Sequence, residues 1–246
     1  MDLVAGTPEK RRKFMDLLIS RINPGYLYNI LNYHKVLKEK NRILFSKKQD
    51  RILIDTFNEQ LVNIGSVIIK KRLDFLQEFS SLLEKLLGAI FGINKNIGLK
   101  YLSSVNIGNK DISLEYISEK FRNKIKKLAE AEFLYKKTLT GPHRDDVLFL
   151  LNNGNVRYFA SSGEQLAFGL SSRLCEAIIL SKDKDNPPLL ILDDCLSFLD
   201  EKKQLAFWDL IRNKGQIIFA STKIPSFLSE NENFSFRIDN GEIVNV

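Results

Sequence analysis

The segment from Leu189 to Asp194 has the residue pattern of a phosphate- and metal-binding strand end. Its first four residues, Leu189-Leu-Ile-Leu, predict a strand buried on both faces, and the acids Asp193 and Asp194 follow at its carboxyl end. Open α/β sheets place their ligands at this edge. In phosphoryl-transfer ATPases the first acid of such a pair holds Mg²⁺ and the second orients the attacking water. A buried strand that runs into an acidic turn is the alternative interpretation.

A second candidate is Ala160-Ser-Ser-Gly-Glu-Gln, directly before a predicted amphipathic helix over residues 164–181. Small and hydroxylic residues at a helix start leave backbone N–H groups unpaired, so an anion such as a γ-phosphate can approach closely. Simple helix capping by Ser161 or Ser162 explains the same residues. Taken alone, this segment favours capping.

The order of these segments along the chain is more informative than either one. The serine-glycine segment and its helix precede the acidic strand, which is followed by Ser197-Phe-Leu-Asp200 and later by the predicted strand Gln216-Ile-Ile-Phe-Ala with Ser221 and Thr222. ABC-type ATPase heads carry their signature motif, Walker B strand, D-loop and switch strand in this order. The joint pattern therefore predicts an α/β domain with a partly parallel sheet.

The elements that must position these residues fall into two regions. Apolar residues at helical spacing predict helices near residues 8–22, 26–44, 51–87 and 113–137, whereas short apolar runs separated by turns begin after Leu139. The later elements are predicted strands at 147–151 and 156–159 around the turn Asn152-Asn-Gly-Asn, a helix near 202–212 and a hairpin around Asn240-Gly241. We therefore predict a helical lobe or arm over 1–137 and part of an ATPase head over 138–246.

The net charge of the 246-residue chain is +7 and its pI is about 9.2, which favours an anionic partner, with nucleic acid first. The best candidate for a contact with a phosphate backbone is a basic cluster in the fourth helix: Lys120, Arg122, Lys124, Lys126 and Lys127. A solvated helix face is the alternative.

Other classes of site and location find little support. Cys175 and Cys195 form no CxxC pair and predict buried, reduced thiols in a cytoplasmic protein. The two histidines lie far apart, which makes a zinc site improbable. No apolar run approaches the roughly 18 residues of a membrane span, so no membrane association is expected.

Three segments carry a resemblance to one family. Thr140-Gly-Pro-His-Arg-Asp-Asp146 is similar to the GPHRDD block of RecF proteins, and Gly6-Thr-Pro-Glu-Lys-Arg-Arg-Lys-Phe-Met-Asp16 resembles the family's G-S-P-x-x-R-R-x-F-L-D segment. Asn23-Pro-Gly-Tyr and Val36-Leu-Lys-Glu-Lys-Asn41 resemble the stretch that follows it. The similarity covers essentially the whole chain.

This resemblance implies an ABC/SMC-type ATPase head, here only its C-terminal part, joined to a mostly helical lobe. RecF proteins are cytoplasmic DNA replication and repair proteins and weak ATPases of the DNA-damage (SOS) response. They bind DNA at single-strand gaps, act with RecO and RecR, and sandwich ATP and Mg²⁺ in an ATP-dependent homodimer. Carried onto this chain, the family's roles are as follows: Asp193 positions Mg²⁺, Asp194 is the catalytic carboxylate, Ser161, Ser162, Gly163 and Gln165 face the γ-phosphate, Asp200 belongs to the D-loop, and Ser221 or Thr222 occupies the switch position.

The sequence departs from the family in three ways. It has no Gly-Lys dipeptide and hence no G-x-x-x-x-G-K-[ST] loop to hold the β- and γ-phosphates. It also lacks the first strands of the family's sheet, so we expect an unpaired strand edge and an uncovered apolar face. Its signature reads Ser-Ser-Gly-Glu-Gln-Leu where the family has S-Q-G-Q-Q-R, and both Glu164 and Leu166 should weaken anion binding there.

These departures predict that the chain alone does not hydrolyse ATP, and they suggest three origins. The chain is a fragment, or a separate polypeptide carries the phosphate-binding loop, or the chain is a degenerate relative. A non-catalytic scaffold that binds DNA or protein remains the alternative function. An unrelated α/β enzyme that uses Asp193 lacks a supporting nucleophile or metal-ligand cluster.

Overall fold

The computed structural model describes residues 3–46, 50–91, 96–108, 112–182, 188–197, 199–223, 228, 235–239 and 241–244. It divides into two compact units, Met1–Leu180 and Ser181–Val246. Each unit is described by itself below. The lobe boundary at residues 137/138 stays a prediction.

Four helices form most of the first unit: α1 (Pro8–Ile22), α2 (Pro24–Phe45), α3 (Arg51–Phe91) and α4 (Leu114–Tyr135). Pro8 opens α1 at the first helical position, where a missing N–H costs nothing. Asn23 ends α1 and caps α2, because its side chain accepts the Tyr26 N–H at 3.1 Å. The four predicted helices are therefore confirmed, with α3 extending beyond its predicted end.

Helix α3 is the centre of this unit. It packs against α2 and α4, and one buried cluster joins α3 and α4 through Val62, Ile69, Val105, Ile117, Phe121 and Ile125. By length and composition, Arg51–Ala89 is the one described segment that could cross a bilayer. Core helices of soluble proteins pass the same test, and 39% of the apolar window of α3 is buried within the protein.

The first unit also contains a small antiparallel sheet. Strand β1 (Ile97–Leu102) pairs with β2 (Asp146–Leu151), from Ile97 opposite Leu151 to Leu102 opposite Asp146. After β2, Asn152 and Asn153 both have positive φ, 49° and 65°, as in a two-residue hairpin turn. The returning strand β3 (Gly154–Asn155) is only two residues long.

The predicted strand over 156–159 is wrong. These residues form the short helix α5 (Val156–Phe159), because the Asn155 side chain accepts the Arg157 N–H at 3.0 Å and starts a helical turn. The cap overrides the strand preference of Val156, Tyr158 and Phe159. The long helix α6 (Ser162–Leu180) follows.

The second unit begins with a parallel strand pair, as predicted. Strand β4 (Leu189–Asp193) pairs with β5 (Gln216–Ala220), in register from Leu189 beside Gln216 to Asp193 beside Ala220. The helix α7 (Glu201–Ile211) connects the two strands. The closing hairpin consists of β6 (Arg237–Asp239) and β7 (Glu242–Val244), and Asn240 of its predicted turn lies outside the described residues.

The expectation that β4 is buried on both faces is wrong. Leu189 is 51% exposed and Ile191 68%, and their neighbour Ile218 on β5 is 50% exposed. A parallel sheet needs cover on both faces, and here only the face that carries the buried Leu192 has it. The predicted uncovered apolar face is therefore present. In the described part of the chain, β4 and β5 pair only with each other.

Candidate functional site

The two acids at the end of β4 lie at an exposed sheet edge. Asp193 is the last residue of the strand and stands beside Ala220 of β5. The Asp194 N–H donates to the Ala220 carbonyl at 2.9 Å, so the two strand ends are tied together. Both carboxylates are exposed to solvent. A ligand at the carboxyl edge of this sheet can therefore reach both.

Asp194 has an unusual backbone conformation. Its φ of 42° lies in the left-handed region, which costs a non-glycine residue roughly 1 kcal/mol or more. The Ser197 hydroxyl donates to the Asp194 carbonyl at 3.0 Å and helps hold this turn. Burial, with Asp194 and Asp193 nearby, raises the pKa of the Cys195 thiol, which stays protonated.

Ser221 and Thr222 follow β5 at the same edge of the sheet. Because β4 and β5 run parallel and in register, the residues after Ala220 and the acids after Leu192 emerge at one end. Both hydroxyl residues are exposed. The structure thus brings four of the predicted site residues to one sheet edge.

Asp200 has a structural role that is visible directly. It caps α7, since its carboxylate accepts the Lys203 N–H at 3.0 Å and forms a salt bridge with the Lys203 ammonium. These bonds lower the pKa of Asp200. Phe198, also in the predicted D-loop segment, lies outside the described residues.

The serine-glycine segment forms a capping box at the start of α6. The Ser161 hydroxyl accepts the Glu164 N–H at 3.3 Å, while the Glu164 carboxylate accepts the Ser161 N–H at 2.8 Å and the Ser161 hydroxyl proton at 3.0 Å. The capping interpretation is therefore confirmed for Ser161. Capping still leaves the N–H groups of Ser162 and Gly163 at positions where a helix offers no partner.

Ser162 and Gly163 face solvent. A methyl group added at Gly163 would meet no atom within 4 Å, so no neighbour in this chain requires a glycine there. The Gln165 amide, in contrast, donates to the carbonyls of Arg157 and Ala160 at 3.3 and 3.2 Å and ties α6 to α5. The exposed part of the helix start is thus Ser162 and Gly163.

The residues fit a magnesium ion only together with a ligand's oxygens. Mg²⁺ takes one or two protein carboxylates, water and substrate phosphates. Among the residues that the structure describes, no group of three or more His, Cys, Asp or Glu could form a protein-only metal site. The exposed Asp193 carboxylate suits the shared kind of site.

The block at 140–146 lies in a buried polar network. The fully buried Arg72 guanidinium donates to both Asp16 oxygens at 2.9 and 2.8 Å and to the Pro142 carbonyl at 2.7 Å. It also contacts the hydroxyls of Tyr26 and Tyr101 at 3.1 and 3.4 Å. One side chain of α3 therefore holds α1, α2, β1 and the turn at Pro142 together.

The two acids of this block are held within the same network. Buried Asp145 accepts the Tyr101 hydroxyl at 2.5 Å and the Ser104 N–H at 2.7 Å. Burial raises the pKa of Asp145, and these bonds oppose that shift. Asp146 forms a two-bond ion pair with Arg11, both contacts at 2.8 Å. Both carboxylates are therefore bound by residues of this unit.

His143 is also an internal residue. Its Nδ1 lies 2.8 Å from the Tyr33 hydroxyl, and burial lowers the pKa of His143 to about 3. Gly141 has φ of 127°, and a side chain there would clash with the Tyr33 hydroxyl at 2.3 Å. The block therefore acts as a structural junction, a role that its sequence did not reveal.

The sequence reasoning missed the partners of this junction, Asp16, Arg72 and Tyr101. It also missed a buried pair in which Lys40 donates to Glu132 at 2.6 Å. The one sequence signal that could have indicated these buried contacts is a charged residue among the apolar positions of a helix. Arg72 provides it, since it lies between the buried residues Ile69 and Phe75 of α3.

Comparison with protein-family models finds no match. Curated proteins do match: DNA replication and repair protein RecF of Enterococcus faecalis is 33% identical over 91% of this chain, and that of Bacillus subtilis is 31% identical over 99%. RecF of Pediococcus pentosaceus is 32% identical over 99%. The chain spans 61% of the Enterococcus protein and 67% of each of the other two.

Two solved structures have the same fold. The recombination mediator protein RecF with ATP, of the RecFOR pathway, matches with a TM-score of 0.82 and 29% identity over 100% of this chain and 65% of its own length. The form described as RecF-ATPrS matches with a TM-score of 0.80 and 28% identity, over 98% of this chain and 64% of its own length. With sequence and fold agreeing along nearly its whole length, the chain belongs to the RecF family of DNA replication and repair proteins.

Proposed function

We propose that this chain supplies the Walker B carboxylates and the signature segment of an ABC-type head in a RecF-type protein that binds ATP and DNA. The observation that carries the proposal is the exposed sheet edge where Asp193 and Asp194 follow a parallel strand beside Ser221 and Thr222. Parallel strand ends are where α/β proteins place nucleotide phosphates.

The chain's own groups divide the chemistry between them. Asp193 would hold Mg²⁺, and Asp194 would orient the attacking water and accept its proton. Ser221 or Thr222 would hold that water from the neighbouring strand end. Bound ATP would supply the phosphoanhydride bond that is hydrolysed, and Mg²⁺ would neutralise the charge of the phosphates.

The signature segment would serve a facing subunit in an ATP-dependent homodimer. The N–H groups of Ser162 and Gly163 are available at the positive end of a 19-residue helix, where an anion is stabilised. The Gln165 amide would have to leave its bonds to α5 to reach the same phosphate. In this proposal Asp200 shapes the D-loop through its cap on α7.

ATP hydrolysis requires a segment that carries the phosphate-binding loop. The uncovered face of β4 and β5 is a suitable surface for that segment to bind. Side chains alternate along a strand, so Leu189, Ile191 and Asp193 share one face. Any segment that covers the two apolar residues therefore lies directly against Asp193. We propose that the loop-bearing part of the head, on this or a separate polypeptide, covers this face.

The remaining assignments follow from the family. DNA, ATP, RecO and RecR are the proposed partners, and the cytoplasm is the proposed location. The helical lobe over 1–137 would act as an arm of the head part over 138–246.

Complementation tests the proposal. The purified chain alone should not hydrolyse ATP, and addition of the loop-bearing segment of the Bacillus subtilis relative should produce Mg²⁺-dependent hydrolysis. Asp194→Asn should abolish this activity, whereas Asp209→Asn, an exposed acid on α7, should not. ATP hydrolysis by the chain alone that is lost in Asp194→Asn would refute the requirement for the added segment.

The alternative function is a non-catalytic scaffold. The capping box supports it, because Glu164 places a carboxylate next to the proposed γ-phosphate site. DNA retention that ignores ATP and is unchanged by Asp193→Ala would favour the scaffold.

A further inference from the structure

The basic cluster on α4 separates into two sets in the structure, the first of which is Arg122 with Lys126, four residues later and also near enough to Glu59 to lower its pKa. Arg122 points toward α3 and forms a bidentate ion pair with Glu59, with contacts at 2.9 Å. This pair lowers the pKa of Glu59 and raises that of Arg122. Arg122 is therefore used within the protein, which removes it from the predicted DNA contact.

Lys120, Lys124 and Lys127 form the second set, the lysine stripe. They are four and three residues apart, so they lie along one side of the helix over about 10 Å. The buried side of α4, with Ile117, Phe121 and Ile125 in the core, lies roughly 90° around the helix from the stripe. Lys127 is exposed and Lys120 and Lys124 are half-buried, so the stripe lies where the buried side of α4 meets solvent.

The lysine stripe is not neutralised by neighbouring acids. Within the ranges that the structure describes, none of its three ammonium groups takes part in a salt bridge. The exposed acid Glu130 of α4 is 3.4 Å from Arg51. Glu119 lies one residue before Lys120 and hence about 100° around the helix.

An aromatic ring continues the stripe at its amino-terminal end. Tyr116, four residues before Lys120, is 40% exposed, and the Lys120 ammonium lies 5.2 Å from its ring centre. A row of cations next to an exposed ring suits a nucleic acid, because phosphates pair with the cations and a base can stack on the ring.

We propose that the lysine stripe with Tyr116 is a contact surface for the DNA backbone. The inference rests on the proposed DNA binding and adds which face of the helical lobe performs it. It assigns no role in DNA contact to Arg122. An acidic protein partner is the competing occupant, and the salt dependence of DNA binding separates the two.

The test compares two triple variants of the full chain that remove equal charge. Lys120→Gln, Lys124→Gln and Lys127→Gln remove the stripe, while Lys35→Gln, Lys38→Gln and Lys71→Gln remove exposed lysines from α2 and α3. Affinity for a fluorescent DNA duplex is measured by anisotropy at several salt concentrations. Equal urea midpoints of the three proteins establish that the fold is kept.

Each lost phosphate contact reduces the slope of log K against log salt by about 0.9. The stripe variant should therefore lose about 2 to 3 from this slope and at least about tenfold in affinity near 0.1 M salt. The control variant should stay within about twofold of wild type. Removing the Tyr116 ring by Tyr116→Ser should weaken binding of single-stranded DNA more than of duplex.

Three results would contradict the proposal. Equal losses in both triple variants would attribute the effect to net charge and overturn it. An unchanged slope in the stripe variant, with wild type binding DNA, would overturn the stripe alone and leave the proposed DNA binding in place. Absence of DNA binding by the wild-type chain would overturn both.

Discussion

Arg72→Met is the most direct test of the buried junction. The substitution keeps an unbranched side chain of similar reach on α3 and removes the five donors of the guanidinium. Asp16 loses a bidentate partner, and the Pro142 carbonyl loses a bond of 2.7 Å. The tyrosine hydroxyls of residues 26 and 101 keep their other partners, Asp16 and Asp145.

The expected cost follows from these orphaned groups. Removing one partner of a buried ion pair costs about 3 to 5 kcal/mol. The Asp16 side chain is 18% exposed, so water partly solvates it and the lower end of that range applies. The buried Pro142 carbonyl adds about 1 kcal/mol or more. We therefore expect Arg72→Met to lower the free energy of unfolding by about 4 kcal/mol, a large part of the 5 to 15 kcal/mol of typical domains.

Urea unfolding followed by far-ultraviolet circular dichroism measures this change. Lys71→Met, at the exposed neighbouring position, is the control and should change stability by less than about 0.5 kcal/mol. Arg72→Lys keeps the charge without the planar fork and should fall between the two. A loss below about 1 kcal/mol in Arg72→Met would refute the assignment of Arg72 as the centre of the junction.

Three further predictions concern other parts of the molecule. Burial lowers the pKa of His143 from 6.5 to about 3, so the neutral histidine stabilises the fold above pH 6.5 and this stabilisation is lost as the pH falls toward 3. Between pH 7 and pH 5 the wild-type protein should lose about 2 kcal/mol of unfolding free energy through this group, and His143→Gln should not show that loss. Urea unfolding at the two pH values measures the difference. Gly163→Ala should raise the melting temperature slightly, because helical glycine is unfavourable and space is free, yet reduce ATP hydrolysis in the complemented head. Ile191→Ser should leave the urea midpoint nearly unchanged, since this side chain is 68% exposed, but decrease self-association in analytical ultracentrifugation.

The helices and the parallel strand pair were predictable because their signals are local. Periodic apolar residues and the Asn23-Pro24 break define α1 and α2, and the four apolar residues before Asp193 define β4. The error at 156–159 is also local in origin. Val156, Tyr158 and Phe159 favour strands individually, but the Asn155 cap and the two-residue turn before it allow only a two-residue β3.

The polar junction was not predictable, since its bonds join residues far apart in sequence. Arg72 and Asp16 are separated by 56 positions, and Arg11 and Asp146 by 135. No periodicity or spacing connects such pairs. The segments around 6–16 and 140–146 could be noticed as family features, and only the structure shows that they bind each other.

The proposed site and the stability of the second unit depend on the same surface. Leu189 and Ile191 leave apolar area in water, which favours any association that covers them, at roughly 25 cal/mol for each Å² buried. Strand alternation puts Asp193 on that face, so the association that buries these two side chains also brings its groups to the carboxylate. Partner binding stabilises the folded state by mass action. A loop-bearing segment should therefore increase resistance to unfolding before any ATP is added, whereas a scaffold without such a partner would leave the face exposed.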